Sequence, residues 1–207
     1  MKKISLKKKI NDLKKYMKTP VAQDALEKLL AELDYYEEDK TTESQDLVVP
    51  QELVGQGHAV GLFSDGGCRG NPGPGAYAFL VQNSNGDILL EGGDFFEYTT
   101  NNQMELRGVI EGLKALRNNV GDMPMVYIYT DSKYVVNGMS SWVAGWKARG
   151  WKKADKKTPE NVELWKELDT VDAQFKSKYI WVKGHAGHPQ NEKVDKMANE
   201  LMDANGC

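Results

Sequence analysis

The chain has 207 residues, 40% of them hydrophobic, which suits one ordinary domain with an appendage or two small domains. Its formal net charge is only −3, so any contact with nucleic acid has to come from a local basic patch. Two cysteines, Cys68 and Cys207, are too few for a disulfide framework and favour a reducing, cytoplasmic compartment. There is no apolar run of about 18 residues, and no apolar core follows the Lys-rich start. Neither a membrane span nor a signal peptide is therefore predicted.

The N-terminal segment divides into two halves of opposite charge. Residues 1–19 carry eight lysines and one aspartate (net +7), whereas residues 20–46 carry nine acidic residues and two lysines (net −7). Apolar residues recur at helical spacing in both halves, so we expect a helical hairpin over residues 1–40 and a linker over residues 41–57. The Lys-rich half is either a contact for nucleic acid or a protein partner, or a solvated helix face neutralised by the acidic half. The sequence leaves both open.

From His58 onward the pattern is that of a mixed α/β domain with one prominent Gly- and Pro-rich loop. An apolar run predicts a strand over residues 58–65 that ends at the carboxylate of Asp65, and residues 75–82 predict a second strand. The loop between them exposes many backbone N–H groups and few side chains, which suits close approach to a phosphate or sugar. Alternatively, it is an ordinary hairpin turn with a solvated aspartate. A third strand is expected over residues 88–98.

The next predicted element is a helix that carries a second acidic residue. Thr and Asn side chains at residues 99–102 supply capping oxygens, and the helical pattern continues to about Arg117. Its apolar face is formed by Met104, Ile110, Leu113 and Leu116. Glu105 falls in the first or second turn, where a carboxylate is also a common surface residue favoured by the helix dipole.

A third acidic residue follows another apolar strand. Residues 125–130 are almost fully apolar, as expected of a strand covered on both faces, and Asp131 comes directly after them. Ligands of open α/β sheets bind beyond the carboxyl ends of the strands. If this strand and that of Asp65 are adjacent and parallel, the two carboxylates can share one cation.

Residues 140–157 combine basic side chains with tryptophans. The six basic residues are Lys147, Arg149, Lys152, Lys153, Lys156 and Lys157, and the three tryptophans are Trp142, Trp146 and Trp151. Cations separated by rings that stiffen the segment are typical of a surface that binds a nucleic-acid backbone. We interpret the tryptophans as packing residues rather than as platforms for bases. A further helix is expected from Thr158-Pro159, with Val162, Trp165, Leu168, Val171 and Phe175 on its buried side.

The last predicted elements are a strand over residues 179–182, a Gly-rich turn with His185 and His188, and a helix from about Pro189. Asp195 lies in the second turn of that helix. The His-x-x-His spacing could suggest zinc, but the proline after the second histidine and the lack of nearby cysteines argue against it. By itself His185 is more typical of a surface loop than of a catalytic site.

Four carboxylates thus lie at or near the ends of predicted elements: Asp65, Glu105, Asp131 and Asp195. Oxygen donors without thiolates select hard cations, Mg²⁺ or Mn²⁺, over zinc. Carboxylates that bridge two such ions, about 3.5–4 Å apart, promote in-line cleavage of a phosphodiester. Crowded negative charges are unfavourable without cations, so a purely structural role would not explain such a cluster.

Five motifs follow one another along the chain: Ser-Asp-Gly-Gly-Cys-Arg-Gly-Asn-Pro-Gly-Pro-Gly-Ala, Thr-Thr-Asn-Asn-Gln-Met-Glu-Leu, Tyr-Thr-Asp-Ser-Lys-Tyr-Val, Gly-Trp-Lys-Lys-Ala-Asp-Lys-Lys and Trp-Val-Lys-Gly-His-Ala-Gly-His-Pro-Gln-Asn-Glu. In residues and in order they resemble the motifs of bacterial-type type 1 ribonuclease H. The resemblance covers about residues 58–204. It implies an α/β fold, a five-stranded mixed sheet flanked by helices, as a catalytic domain over residues 58–207. It says nothing about residues 1–57, which lack the aromatic hybrid-binding module of eukaryotic members.

The resemblance also implies an activity, endonucleolytic hydrolysis of the RNA strand of RNA–DNA hybrids by two Mg²⁺ ions, with Mn²⁺ as a possible substitute. The products would carry 5′-phosphate and 3′-hydroxyl ends. Asp65, Glu105, Asp131 and Asp195 match the family's metal ligands, and His185 matches a mobile-loop histidine assigned to proton transfer or product release. We expect a monomer whose nucleic-acid contacts come from Cys68, Asn71, Asn101, Asn102, Lys133, Trp142, Lys147, Trp151, Lys152, Lys153, Lys156, Lys157 and Asn191. Of these residues, Asn71, Asn101 and the backbone of Cys68 match positions that face the minor groove of the hybrid, where the 2′-hydroxyl distinguishes RNA from DNA.

Two other functions are compatible with parts of the pattern. A decayed nuclease could serve as a non-catalytic scaffold that binds hybrids through the basic segment, although the presence of all four carboxylates argues against it. Another nuclease of the same fold class, integrase-like or junction-resolving, would also need the carboxylates. The Asn/Gly loop and the basic segment favour hybrids over the substrates of such enzymes.

Overall fold

The computed structural model describes residues 16, 19, 22–28, 30, 47–119 and 125–207. The chain divides into two compact units, Met1–Leu47 and Val48–Cys207. In the first unit, residues 22–28 and 30 are helical, and the Thr19 hydroxyl caps them by accepting a hydrogen bond from the Ala22 N–H (3.3 Å). Tyr16 and Thr19 are also described, and the remaining residues of the predicted helical hairpin lie outside the described part of the chain.

A five-stranded mixed sheet forms the centre of the second unit, as predicted. Its strands are β1 (Ala59–Cys68), β2 (Gly73–Asn83), β3 (Ile88–Thr99), β4 (Met125–Thr130) and β5 (Lys176–Trp181). Their order in the sheet is β3-β2-β1-β4-β5. The first three strands are antiparallel neighbours, whereas β4 pairs in parallel with both β1 and β5. The strands of Asp65 and Asp131 are therefore adjacent and parallel.

Helices flank this sheet. They are α1 (Asn101–Asn119), α2 (Lys133–Asn137), α3 (Val143–Ala148), α4 (Val162–Asp172) and α5 (Pro189–Ala204), with one π-helical turn (Gly138–Trp142) between α2 and α3. The predicted apolar face of α1 is buried in the main core, where it meets side chains of β1, β2 and β4. None of the helices that the structure describes has the length and hydropathy needed to cross a membrane.

The structure differs from the sequence expectation in one helix start and in two additional helices. The helix predicted from Thr158-Pro159 begins only at Val162, because Asn161 takes a left-handed conformation (φ 55°) that interrupts a helical backbone. Sequence patterns also did not predict α2, which precedes the basic region, or α3, which lies within it. The π-helical turn between them begins at Gly138, whose missing Cβ leaves room for the ring of buried Trp165.

Residues 48–57 pack onto the second unit instead of forming a free linker. Leu53 is fully buried beside Gly61 of β1, and a Cβ added at Gly61 would lie only 2.9 Å from the Leu53 side chain. The hydroxyl of Tyr129 donates to Glu52 (3.2 Å), and the side-chain amide of Gln190 donates to the Val48 carbonyl (2.7 Å). The second unit thus begins at Val48, ahead of the predicted boundary at residue 58, and the linker prediction has to be corrected for residues 48–57.

Candidate active site

Sheet register brings two carboxylates side by side. The parallel pairing of β1 with β4 ends at the pair Phe63 and Tyr129, whose rings stack with centroids 4.7 Å apart. Asp65 and Asp131 each come two residues later, and residues two apart on a strand share a face. β1 itself continues past Asp65 to Cys68 along β2, so Asp65 lies inside a strand and not at its end as predicted.

Glu105 joins these two carboxylates from the second turn of α1. One carboxylate oxygen from each of Asp65, Glu105 and Asp131 lies within 4.8 Å of the other two. Gly66 makes this approach possible, because any Cβ there would clash with the backbone of Met104 and Glu105. A residue larger than glycine would push α1 away from β1 and separate the carboxylates.

Burial and mutual repulsion make this cluster hard to ionise. Burial, with the nearby charges of Asp131 and Asp195, raises the pKa of Asp65 from 3.8 to about 7. The pKa of Glu105 is raised well above its ordinary value by burial and by the charges of Asp65 and Asp131. The pKa of Asp131 is raised chiefly by burial. A divalent cation would reverse each of these penalties, since it favours the charged form of every carboxylate around it.

Asp195 approaches the cluster from α5 but is not part of the tight group of three. Its carboxyl lies close enough to that of Asp65 to raise the pKa of Asp65 further. The Asn199 side-chain amide donates to Asp195 Oδ1 (2.9 Å) and fixes its orientation. Nδ1 of His185 lies 3.9 Å from Asp195 Oδ2, and its ring is 83% exposed. The histidine therefore lies at the solvent edge of the site.

The end of β5 holds Asp131 through two residues that sequence reasoning did not select. The indole Nε1 of Trp181 donates to the Asp131 carbonyl (2.9 Å). Gly184 leaves no room for a side chain, because a Cβ there would clash with Asp131 Oδ2. The sequence signals were an aromatic residue at the end of a strand, a glycine after it, and the place of both in the last of the five motifs, and none of these names a partner.

The Gly-rich loop lies next to the start of α1, so the polar residues expected at the minor groove are neighbours. The backbone N–H of Asn101 donates to the side-chain oxygen of Asn71 (3.3 Å). The Cys68 thiol donates to the Gly70 carbonyl at 2.8 Å and contacts the Thr99 carbonyl at 3.4 Å. Asn102 is half-buried in the first turn of the same helix.

Asn191 lies near the N-terminus of α5 and is 3% exposed. Its side-chain oxygen has no hydrogen-bond partner among the residues that the structure describes. An unpaired buried amide oxygen costs free energy.

In the basic region, tryptophans pack while most lysines face solvent. Trp142 contacts Tyr134 and Trp146 with centroids 5.9 and 5.8 Å apart, and Trp151 is partly buried against the core. Lys147 pairs with Asp169 (2.7 Å), and Lys152 donates to the Thr158 hydroxyl (2.7 Å). Lys156 and Lys157 are exposed, whereas Lys153 is half-buried. These contacts support the interpretation of the tryptophans as packing residues.

Comparison with known proteins agrees with the motifs and the geometry. A sequence model described as RNase H matches residues 57–203. A ribonuclease H of Bordetella pertussis is 47% identical over 150 residues, which are 72% of this chain and 93% of that protein. The chain belongs to the ribonuclease H family. A ribonuclease H of Neisseria meningitidis serogroup C is 49% identical over 138 residues, 67% of this chain and 91% of that protein.

Solved structures add the type of ribonuclease H. LC9-RNase H1, described as a type 1 RNase H with the type 2 active-site motif, is 36% identical, with a TM-score of 0.63 over 70% of this chain and 72% of that one. LC11-RNase H1, solved in complex with an RNA/DNA hybrid, has a TM-score of 0.57 over 70% of this chain and 98% of that one. At 22% identity it shows the fold alone.

The chain is thus a type 1 ribonuclease H of the bacterial kind, an endonuclease that hydrolyses RNA in RNA–DNA hybrids. The family depends on metal ions, and Asp65, Glu105 and Asp131 form a carboxylate cluster that could hold one. A non-catalytic scaffold is not supported, because the relatives named above are ribonucleases over nearly their whole length.

Proposed function

We propose that this ribonuclease H uses two Mg²⁺ ions held by Asp65, Glu105, Asp131 and Asp195, and leaves 5′-phosphate and 3′-hydroxyl ends. The observation that carries the proposal is the approach of three carboxylates within 4.8 Å on one face of a parallel strand pair. Such crowding is unfavourable in a folded protein unless cations compensate it.

The donor set fits hard divalent cations. All the donors are carboxylate oxygens, which suit Mg²⁺ and also Mn²⁺. Glu105 Oε2 is buried and has no hydrogen-bond partner within the described part of the chain, so a metal ligand role would satisfy it. When bound, the ions would activate the attacking water and stabilise the leaving oxygen.

The protein's own groups would hold and orient these ligands. The sheet fixes Asp65 and Asp131, and the hydrogen bond from Trp181 holds the Asp131 backbone. His185 is exposed, lies beside Asp195 and belongs to a Gly-rich turn, a position suited to moving a proton between solvent and the site or to aiding product release. Neither role requires it to be a metal ligand.

The hybrid would lie across the loop next to Asp65 and along the basic region. The residues proposed for the minor groove are Cys68, Asn71, Asn101 and Asn102, with Asn191 nearby on α5. Trp142, Lys147, Trp151, Lys152, Lys153, Lys156 and Lys157 would support and grip the DNA strand through its phosphates. We further propose a catalytic domain over residues 48–207 that acts as a monomer, and a cytoplasmic location that suits two free cysteines.

Cleavage assays test the reaction. Labelled RNA–DNA hybrid, duplex DNA and duplex RNA are incubated with Mg²⁺ or Mn²⁺, and the ends of the products are identified by their reactivity with kinase and phosphatase. We expect cleavage of the RNA in the hybrid alone, with 5′-phosphate ends. Equal cleavage of duplex DNA would favour the integrase-like or junction-resolving alternative.

Isothermal titration of the protein–hybrid complex tests the number of ions. A non-cleavable hybrid keeps the substrate intact during the titration, and two equivalents of Mg²⁺ are expected. Asp172→Asn is the matched control for substitutions in the cluster, because Asp172 is a half-buried carboxylate bonded to the Tyr179 hydroxyl away from the site (2.9 Å). Binding of only one equivalent of Mg²⁺ by the wild-type complex would contradict the proposal. So would a loss of Mg²⁺ binding in Asp172→Asn as large as that in the cluster variant Asp65→Asn.

A further inference from the structure

The end of β5 carries an aromatic side chain with two functional contacts. Trp181 is 43% exposed although it lies beside the carboxylate cluster. Its indole Nε1 donates a 2.9 Å hydrogen bond to the backbone carbonyl of Asp131. The centroid of its ring is 4.8 Å from Nζ of Lys133. One side chain therefore contacts the backbone of a proposed metal ligand and a cation two residues further along the chain.

Trp181 is well suited to fix these groups because its own position is set by the sheet. It pairs with Thr130, the last residue of β4, and the ladder continues with a hydrogen bond from the Val182 N–H to the Thr130 carbonyl (3.0 Å). A side chain on a rigid strand positions its neighbours better than one on a loop. Its exposure of 43% leaves part of the indole accessible from solvent.

The ring also restricts a lysine that would otherwise be flexible. A free lysine side chain samples many rotamers, and holding it against an aromatic face removes much of that freedom before binding. Within the described residues Lys133 has no ion pair with a carboxylate, so its charge is available to an anion. Next to a cluster proposed to hold the scissile phosphate, the natural anion is another phosphate of the same strand.

We propose that Lys133 binds the phosphate adjacent to the one that is cleaved, and that Trp181 is a positioning residue for both Lys133 and Asp131. The ring and the indole N–H have separate effects in this arrangement. The ring orients the cation and so governs affinity, whereas the N–H holds the Asp131 backbone and so governs turnover. The inference rests on the proposed function, because the carboxylates define where the scissile phosphate lies.

Variants at Trp181 separate the two contacts. Trp181→Phe keeps a ring under Lys133 but removes the N–H, so we expect Kd for hybrid to stay within about 2-fold of wild type while kcat falls about 5-fold. Trp181→Leu removes both contacts and should also weaken binding by about 3- to 10-fold. Melting temperatures of both variants are measured so that a loss of folding is recognised.

Lys133→Gln tests the phosphate contact directly. Binding is measured in EDTA by fluorescence anisotropy with labelled hybrid at several salt concentrations. Loss of one phosphate contact should lower the slope of log K against log salt by about 0.9. Because the tryptophan acts on affinity through the lysine, the double variant Lys133→Gln/Trp181→Leu should bind no more weakly than Lys133→Gln alone.

The structure offers a matched control on the same pair of strands. Lys178 lies over the ring of Tyr127 with its Nζ 5.6 Å from the centroid, three residues before Trp181 and thus about 10 Å away from it along β5. Lys178→Gln removes the same charge and the same kind of contact. We expect it to leave the salt slope and KM unchanged.

Three results would overturn the inference. They are additive losses of affinity in the double variant, an equal loss of affinity in Trp181→Phe and Trp181→Leu, and a change of salt slope in Lys178→Gln as large as that in Lys133→Gln. The binding measurements need neither metal nor cleavage. A failure of the proposed reaction, seen as intact hybrid with the wild-type protein, is therefore distinguishable from a failure of the Lys133–Trp181 pair.

Discussion

The carboxylates of the active site are crowded into a buried corner, whereas the lysines of residues 140–157 are spread over the surface. Burial raises the pKa of Asp65, Glu105 and Asp131, and the charge of Asp131 adds to the increase at the other two. In the basic region, Lys147 and Lys152 have partners of their own, and the exposed lysines around them are surrounded by water. The two regions carry charge of opposite sign. They also differ in the strength of charge–charge interactions, which are stronger in the buried cluster than at the exposed lysines.

This difference suggests how the two regions divide the work. Interactions between buried charges are strong and specific, so removing one carboxylate should disable the chemistry. Exposed charges are screened, so each lysine should contribute modestly and together they should govern binding. Substitutions in the two regions should therefore differ both in size and in the quantity that they change.

The largest effect is expected from Asp65→Asn or Asp131→Asn. Each removes a charge from the buried cluster, and we expect kcat to fall at least about 1,000-fold while Kd for hybrid changes little. Single-turnover cleavage and binding in EDTA provide the two measurements, with Asp172→Asn as the control. Turnover like that of the wild type in either variant would rule out the metal mechanism.

A smaller loss is expected from His185→Ala. The imidazole is exposed and lies 3.9 Å from Asp195, a position from which we propose that it assists proton movement without holding the ligands. Loss of an acid–base group typically lowers kcat about 100-fold or more. Because water has access to this exposed position, we expect kcat to fall only about 10- to 100-fold. An unchanged kcat across the pH range would make His185 a bystander.

A still smaller effect is expected when lysines of the basic region are neutralised, and this effect is a weakening of hybrid binding. Replacing Lys152, Lys153, Lys156 and Lys157 by Gln should raise Kd about 10-fold near physiological salt and flatten the salt dependence by up to about 3.6 in slope. Lys176→Gln/Lys178→Gln, toward the other end of β5, is the control for a general loss of charge. If the change in the slope of log K against log salt, per lysine replaced, is the same in this control as in the four-lysine variant, the basic region has no special contact with the hybrid.

The smallest effect concerns the stability of the metal-free protein. The pKa of Asp65 is about 7 in the fold against 3.8 ordinarily, so the folded state keeps a proton that the unfolded chain releases above about pH 4. The stabilisation from that proton is full below about pH 4 and is lost as the pH rises through about 7. Asp65→Asn should therefore raise the melting temperature in EDTA by several degrees at pH 8 and little at pH 4. Equal shifts at the two pH values would contradict this assignment.

Hydrophobic pattern and turn residues were sufficient to predict five strands and the buried face of α1, although β5 begins at Lys176, three residues before its predicted start. They also predicted that Asp65 and Asp131 each follow an apolar strand, but they left open whether these strands are adjacent and parallel. Both rest on local information, since the period of apolar residues reports how each segment meets a core. The start of α4 was missed because a left-handed Asn161 has no clear sequence signal.

The sequence by itself determined the set of acidic residues, the elements that carry them and, through its motifs, the family. Only the tertiary structure decided that Gly66 lets Glu105 reach the strands, that Asp195 approaches Asp65 from α5, and that Trp181 holds Asp131. It also decided that Leu53 and its neighbours belong to the second unit. Each of these facts depends on contacts between residues far apart in the chain, whose distances no local periodicity encodes.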